Sequence, residues 1–226
     1  MDGMLLKAVV LLPALVMAIV CHEVAHGWVA LMLGDPTAKE RRRLTLNPLR
    51  HADPVGTVLL PGALALMNLP IFGWARPVPV NKWRLRNPRF GMMAVAAAGP
   101  ATNLLLAALA SVALGLLSPD PQGLGALAGS SLVAFIEINI FLALFNLLPI
   151  PPFDGSHVVE GLLPEPLARG YAGLRPIGFP LLILLLVVLP YLIPHFDLIE
   201  RVVIPLAGWV EAQFMALAGW VASAHG

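Results

Sequence analysis

Residues 4–33 of the chain are MLLKAVVLLPALVMAIVCHEVAHGWVALML, an apolar run interrupted in its middle by two histidines and a glutamate. A helix needs about 20 apolar residues to cross the hydrocarbon core of a bilayer, so this run is long enough to span a membrane. It is too long for the apolar region of a signal peptide. The sequence therefore predicts a membrane helix that carries ionisable side chains inside the bilayer.

The composition of the whole chain agrees with a membrane environment. Of its 226 residues, 58% are hydrophobic and 12% are charged, and the mean hydropathy is +0.83. Soluble domains contain about 25% charged residues, so this chain cannot cover itself with a polar surface. The formal net charge of +1 gives no indication of a nucleic-acid partner. The single cysteine, Cys21, excludes an intramolecular disulfide.

The apolar runs predict an all-α polytopic membrane protein with about five to six apolar segments. The second segment contains several glycines and prolines, and the following Arg76-Pro77-Val78-Pro79-Val80 favours an extended, β-like conformation. A re-entrant second segment would place both flanking basic clusters in the cytoplasm, as the positive-inside rule requires. The last segment could span the membrane or lie on its surface. The segments are 4–33, 55–72, 91–117, 130–148, 177–193 and 202–222.

The polar interruption of the first segment is His22-Glu23-Val24-Ala25-His26, an HExxH motif. On a helix, residues four apart lie on one face, so two imidazoles at this spacing can bind one zinc ion. Glu23 can then reach a water on the same metal as a general base. A charged side chain in the bilayer centre costs about 2.5–3.5 kcal/mol, so this cluster needs a partner such as a metal. The alternative interpretation is a histidine–glutamate hydrogen-bond cluster in a transporter.

A catalytic zinc ion takes three protein ligands, so one more ligand must come from elsewhere in the chain. Asp154 is the best placed candidate because it follows a proline-rich break after an apolar segment. An ordinary Asp-Gly turn explains the same residue, and the spacing alone leaves both interpretations open. The candidate ligands are Asp154, His157, Glu137, Asp53 and His51.

Three separated signatures resemble those of the site-2 protease family of intramembrane zinc metalloproteases, in its compact form without a PDZ or CBS domain. The resemblance covers about residues 5–165, and the ordered set is far more specific than HExxH alone. The signatures are His22-Glu23-Val24-Ala25-His26, Ala98-Gly99-Pro100-Ala101-Thr102-Asn103, and Asn146-Leu147-Leu148-Pro149 continuing to Pro152-Phe153-Asp154-Gly155.

The resemblance implies a three-helix catalytic core in which Zn2+ is held by His22, His26 and Asp154. It implies that Glu23 is the general base and that Asn146 hydrogen-bonds near the zinc, to orient the substrate or the oxyanion. Ser156 stands where many relatives have a second glycine, which is a minor departure. No recognition module is visible, so the resemblance leaves substrate selection open.

Together these observations predict one integral membrane protease domain over residues 1–226, with the core at 5–165 and C-terminal membrane segments at 177–222. The expected function is endopeptidase cleavage within or near the transmembrane segments of membrane proteins or peptides. The expected location is a prokaryotic plasma membrane, with the active site nearer the cytoplasmic side. The sequence does not determine an oligomeric state. An inactive scaffold of the same fold is the remaining alternative, against which the intact Glu23 argues.

Three features outside the signatures carry weaker hypotheses. His51 and Asp53 form an H-x-D pattern that could bind a second metal or belong to a solvated loop. His157 could support the metal site from three residues beyond Asp154. The extended segment from Arg76 to Val80 could pair with an unwound substrate as an added strand, or could serve only as a loop at the membrane edge.

Overall fold

The computed structural model describes residues 3–53, 55, 59, 76–117, 123–193 and 198–225. Within these residues the regular structure is helical, and no strand forms there. The helices in chain order are α1 Gly3–Met32, α2 Thr37–Glu40, α3 Pro88–Leu116, α4 Gly123–Asn146, α5 Asp154–Leu162, α6 Glu165–Ala172, α7 Gly178–Ile183, α8 Leu189–Leu192 and α9 Ile204–His225. Short 3-10 turns lie at Pro48–Arg50, Lys82–Arg84 and Arg175–Ile177, and π-helical turns lie at Leu184–Val188 and Ile199–Val203.

Five helical stretches of the described structure are long and apolar enough to cross a membrane, which confirms an all-α polytopic membrane protein. The fourth begins twelve residues earlier than the predicted 177–193, and the fifth has the length to span rather than only to lie on the surface. The predicted re-entrant segment 55–72 lies outside the described residues except for Val55 and Leu59, so its path stays a prediction. The five stretches are Val10–Met32, Pro88–Leu116, Gly125–Asn146, Glu165–Leu192 and Ile199–His225.

Helices α1, α3 and α4 pack against one another, and the C-terminal helix α9 packs on α3 and α4. The centre of this bundle is built from Ala107, Ala110, Ile136 and Ile140, all nearly or fully buried. Small residues on α3 let its neighbours approach closely, which is how helices associate in a membrane. Gly115 is an example, since a Cβ there would lie 2.4 Å from the Ala218 carbonyl oxygen of α9. The sequence did not predict that the last helix would join the core.

The stretch Ser156 to Arg175 has the modestly polar composition of a loop, yet most of it lies in the short helices α5 and α6, and α6 begins the fourth candidate span. A contact from a distant part of the chain stabilises the end of α5. The guanidinium of Arg89 on α3 donates to the carbonyls of Glu160, Gly161 and Leu163, which satisfies groups that the end of α5 leaves unpaired. Arg89 lies about 70 residues earlier in the chain, so no pattern within residues 156–175 predicts this contact.

The chain that leaves α1 is fastened to the extended segment that precedes α3. The carboxylate of Asp35, fully buried, accepts hydrogen bonds from the backbone N–H and hydroxyl of Thr37 and from the backbone N–H of Asn81. Burial by itself would raise the pKa of Asp35, but these hydrogen bonds outweigh it and hold the pKa below its ordinary value. The Arg86 N–H also donates to the Leu33 carbonyl, 3.0 Å away. Asp35 therefore fixes the segment that runs past the HExxH motif.

Candidate metal centre

Three side chains from distant parts of the chain converge between α1 and α5. His22 and His26 lie one turn apart on α1, are nearly buried, and have ring centroids 4.6 Å apart. The Oδ2 atom of Asp154, the first residue of α5, lies 3.1 Å from His22 Nε2 and 3.3 Å from His26 Nε2. Ligands that bind zinc tetrahedrally at 2.0–2.1 Å are separated by about 3.3 Å, so these distances suit one zinc ion.

The neighbours of the two histidines determine which ring nitrogens face the centre. His26 Nδ1 lies 2.7 Å from the carbonyl oxygen of Val95, which can only accept, so Nδ1 carries the proton. His22 Nδ1 lies 2.5 Å from the side-chain oxygen of Asn103. Each Nε2 atom therefore presents a lone pair to the Asp154 carboxylate. With both imidazoles neutral, these three acceptors meet without a donor, and a metal ion among them would satisfy all three.

The orientation of the Asn103 amide follows from a relay of hydrogen bonds. The backbone carbonyl of Phe135 on α4 accepts from Asn139 Nδ2 at 2.8 Å, so the side-chain oxygen of Asn139 faces α3. That oxygen accepts from Asn103 Nδ2 at 2.7 Å, and Asn103 Nδ2 also donates to the Ala18 carbonyl. The oxygen of Asn103 is thereby left for His22. A carbonyl on α4 thus fixes the tautomer of a candidate ligand on α1.

Space for the two imidazoles depends on Gly99 of α3. A Cβ at this position would lie 2.6 Å from His22 Cε1 and Nε2 and 2.6 Å from His26 Cε1. Val95, Gly99 and Asn103 are spaced four residues apart, so they form one stripe of α3 that faces the histidines. Any larger side chain at the central position would displace the rings.

A glycine also lets Asp154 approach the histidines. The chain turns between α4 and α5, and a Cβ on Gly155 would lie 2.1 Å from the Leu147 carbonyl oxygen and 2.4 Å from that of Leu148. The turn therefore closes onto its own backbone directly after Asp154. The Asp-Gly pair thus serves a turn and presents a carboxylate to the histidines, so the two interpretations of this pair are compatible.

Glu23 contacts the extended segment before α3. Its Oε2 atom accepts a hydrogen bond of 2.8 Å from the backbone N–H of Val78. The Val78 side chain is 7% exposed and packs on α1, where Gly27 makes room for it. The segment Arg76–Val80 is extended as predicted, although it pairs with no strand in the described structure. The backbone of this segment is therefore the immediate partner of the glutamate in the HExxH motif.

The other predicted site residues are placed differently. Asn146 donates its side-chain N–H to the Leu142 carbonyl of its own helix, 2.9 Å away, so its proposed contact near the metal stays a prediction. His157 faces Arg175, with 2.9 Å between Nδ1 and the guanidinium. Burial, and then the charge of Arg175, lower the pKa of His157 to about 4. Glu137 on α4 is exposed and lies outside the cluster.

The H-x-D pattern does not assemble a second metal site within the described residues, where His22, His26 and Asp154 form the only group of three or more convergent ligands. His51 is 2% exposed, and its Nε2 contacts the Thr45 carbonyl at 2.8 Å. Asp53 accepts from the backbone N–H of Val55, as in a turn.

Asn103, Asn139 and Val78 were not predicted as site residues. Asn103 belongs to the second signature, but nothing in its spacing indicates which histidine it meets. Asn139 is an amide within an apolar membrane segment, and the cost of burying such a group was an available signal. Val78 contacts Glu23 only through its backbone N–H, which almost every residue type has, so the residue type could not predict this role.

The comparisons with known proteins agree with this geometry. The description "Peptidase family M50" belongs to a family model that matches residues 122–185. The Bacillus subtilis protein named "Putative zinc metalloprotease YwhC" is 38% identical over 195 residues, which cover 83% of this chain and 86% of the relative. The chain belongs to peptidase family M50.

Other relatives carry the same kind of name. Rip2 of Mycolicibacterium smegmatis is 32% identical over 174 residues, which cover 76% of this chain and 64% of Rip2. MJ0611 of Methanocaldococcus jannaschii is 38% identical over 87 residues, which cover 38% of this chain and 41% of that protein. No solved structure is a significant match. The chain is thus a membrane-embedded zinc metalloprotease of the M50 type, as the resemblance to site-2 proteases implied.

Proposed function

We propose that this M50 peptidase hydrolyses peptide bonds within or near the transmembrane segments of membrane proteins. The observation that carries the proposal is the position of the HExxH motif within the span Val10–Met32. At 1.5 Å per residue, His26 lies about 9 Å and His22 about 15 Å along the helix from Met32. A substrate bond must therefore enter the bilayer, or be drawn out of its own helix, to meet these residues.

In this proposal His22, His26 and Asp154 would hold one zinc ion, which would polarise the scissile carbonyl and lower the pKa of a bound water. The Glu23 carboxylate takes the proton of the attacking water and later delivers it to the leaving amine. The Val78 N–H orients Glu23, because it donates a hydrogen bond to that carboxylate. Asn146 keeps its proposed role near the oxyanion, which requires its side chain to turn away from Leu142.

A helical substrate hides its carbonyls in backbone hydrogen bonds, so it must unwind before cleavage. The extended segment Arg76–Val80 lies beside Glu23 and could receive an unwound substrate as an added strand. Pro77 and Pro79 have no N–H, and the N–H groups of Arg76 and Val78 donate to His51 and Glu23. A substrate strand would therefore act mainly as donor, to the carbonyls of this segment.

The remaining parts of the proposal follow from charge and hydropathy. Residues 1–226 form one integral membrane domain. The basic loops before and after segment 55–72 face the cytoplasm of a prokaryotic cell, which puts the metal site nearer that side. Its partners are the membrane and transmembrane substrates, with no nucleic acid among them.

The experiment that tests the function is the variant Glu23→Gln, which keeps the shape of the side chain and removes its capacity to accept a proton. Zinc content and cleavage of a transmembrane test substrate should be measured on one detergent-purified preparation, with and without a zinc chelator. We expect one zinc per chain to remain bound while cleavage falls at least ~10²-fold, the usual scale of general-base catalysis. Chelation should abolish cleavage by the wild type.

Glu165→Gln is a suitable control, because Glu165 is an exposed glutamate whose ion pair in the described structure is with Arg169, on the same helix α6. It should cleave at the wild-type rate. Wild-type cleavage by Glu23→Gln would rule out Glu23 as the base. Loss of zinc from that variant would instead make Glu23 a structural partner of the metal, and cleavage of only soluble peptides would argue against an intramembrane substrate.

A further inference from the structure

A pocket of about 380 Å³ opens on the surface where the chain leaves α1. Four of the described residues that line it are arginines, and none of the described lining residues carries a carboxylate. They come from the turn after α2, the 3-10 turn and the extended segment before α3. The four arginines, hereafter the arginine pocket, are Arg41, Arg43, Arg50 and Arg76.

None of these arginines forms an ion pair within the described part of the chain. The ion pairs of lysine or arginine found there join Arg84 to Glu40, Arg169 to Glu165 and Arg175 to Glu160. Burial, and then the neighbouring charge of Arg76, lower the pKa of Arg43, with Glu23 opposing the shift. The arginines therefore repel one another, and an anion in the pocket would relieve that repulsion.

The position of the pocket favours a lipid headgroup as the anion. Helix α1 ends at Met32, so the loop that carries the pocket leaves the bilayer at the level of the headgroups. Leu49 lines the pocket and is 81% exposed, and Leu46 nearby is 57% exposed. Exposed leucines beside arginines suit the boundary between acyl chains and phosphates, because the leucines can enter the acyl layer. An acidic peptide in water offers no such apolar layer for the leucines. Guanidinium groups also match phosphate oxygens with two parallel hydrogen bonds.

The pocket is joined to the metal centre by the segment Arg76–Val80. Arg76, Pro77 and Pro79 line the pocket, while Val78 between them packs on α1 and donates its N–H to Glu23. Successive residues of an extended chain face opposite sides, so Pro77 and Pro79 can face the pocket while Val78 faces α1. Arg76 lines the pocket from the beginning of the segment. A group bound between Arg76 and the other arginines would hold this segment in place against Glu23.

We propose that the arginine pocket binds the phosphate of an anionic phospholipid and thereby fixes the segment that orients Glu23. The proposal that the pocket binds a phospholipid depends only on the geometry and charge of the pocket. The effect on Glu23 rests on the proposed function.

Binding is tested by native mass spectrometry of the detergent-solubilised protein, titrated with phosphatidylglycerol or with phosphatidylcholine. We expect tighter binding of phosphatidylglycerol, and a loss of about thirtyfold in Arg41→Gln/Arg50→Gln, since each surface arginine contributes roughly 1 kcal/mol to an anionic headgroup. Arg41→Lys/Arg50→Lys should retain most of the affinity. Arg169→Gln/Arg201→Gln removes the same charge elsewhere and should bind like the wild type. Unchanged binding in the first double variant would refute the pocket.

Two competitors distinguish the source of the phosphate from other anions. If inorganic phosphate displaces phosphatidylglycerol at equal concentration, the pocket is a site for soluble phosphate and the lipid assignment is wrong. An acidic peptide that binds the wild type but not Arg41→Gln/Arg50→Gln, while lipid binding is equal in both, would instead assign the pocket to substrate recognition. Displacement by neither competitor supports the lipid headgroup.

The coupling is tested by cleavage in nanodiscs of phosphatidylcholine with and without phosphatidylglycerol. The wild type should cleave faster with the anionic lipid, and Arg41→Gln/Arg50→Gln should cleave at one rate in both. Equal wild-type rates in both lipids would refute the coupling. A protein that binds phosphatidylglycerol through the pocket but cleaves nothing in either lipid would refute the proposed function and leave the pocket intact.

Discussion

The substitution Gly99→Ala tests the metal centre most sharply, because it adds one methyl group at a known distance from both histidines. The new Cβ would lie 2.6 Å from carbon and nitrogen atoms of His22 and from His26 Cε1, whereas ordinary contacts begin at 3.4 Å. The rings must therefore retreat by about 0.8 Å, while a metal site tolerates about 0.2 Å in its ligand distances. We expect zinc affinity to fall at least a hundredfold, beyond the 10–100-fold typical of neighbours that only orient a ligand.

The assay is competition for zinc against a fluorescent chelator, with the thermal midpoint of the metal-free protein measured in parallel. Alanine favours a helix over glycine by roughly 0.5–1 kcal/mol, so helix α3 itself should not weaken. Gly219→Ala on α9 is the matched control, because its Cβ would meet no atom within 4 Å, and it should bind zinc like the wild type. Wild-type zinc affinity in Gly99→Ala would refute the placement of both histidines against α3.

Three further predictions concern other parts of the structure. Asn103→Ala should weaken zinc binding ten- to a hundredfold in the same assay because His22 loses the group that fixes its tautomer, and an unchanged affinity would contradict the relay. The hydrogen bonds of Asp35 lower its pKa, so its contribution to stability is full above the ordinary value of 3.8 and is lost as the pH falls through the lowered pKa. The difference in thermal midpoint between the wild type and Asp35→Asn should therefore be constant near neutral pH and shrink in that acid range. A difference that grows as the pH falls would contradict a lowered pKa for Asp35. Cysteines at positions Arg43 and Arg86 on a cysteine-free background should both react with an impermeant thiol reagent from the cytoplasmic side, and reaction from opposite sides would show that segment 55–72 spans.

The turn after α4 shows where local patterns cease to decide the structure. Proline and the Asp-Gly pair predicted a break near residue 150, and the break is there. The polar composition from there to Arg175 favours a loop, but two helices stand in its place, and the end of one of them is bonded by Arg89 from α3. Because about 70 residues separate Arg89 from the helix end that it bonds, no local sequence rule predicts this cap.

By itself the sequence determined that the chain lies in a membrane and that His22 and His26 share one face of a helix. Hydropathy over 20 residues decides that a segment crosses the bilayer, because backbone groups there have no water to bind. The helical period then places His22 and His26 on one face, since residues four apart are neighbours on any helix. Both conclusions depend only on covalent spacing, so they could be drawn before any contact was known.

The resemblance named Asp154 as the third ligand, but only the tertiary structure decided how it reaches those histidines. Asp154 is 132 residues from His22, and it reaches the pair because Gly155 lets the turn close and Gly99 leaves room for the rings. The amide relay through Asn103 and the Val78 N–H on Glu23 likewise exist only once α1, α3 and α4 pack. Such contacts depend on how helices approach one another, which packing sets globally and local sequence does not encode.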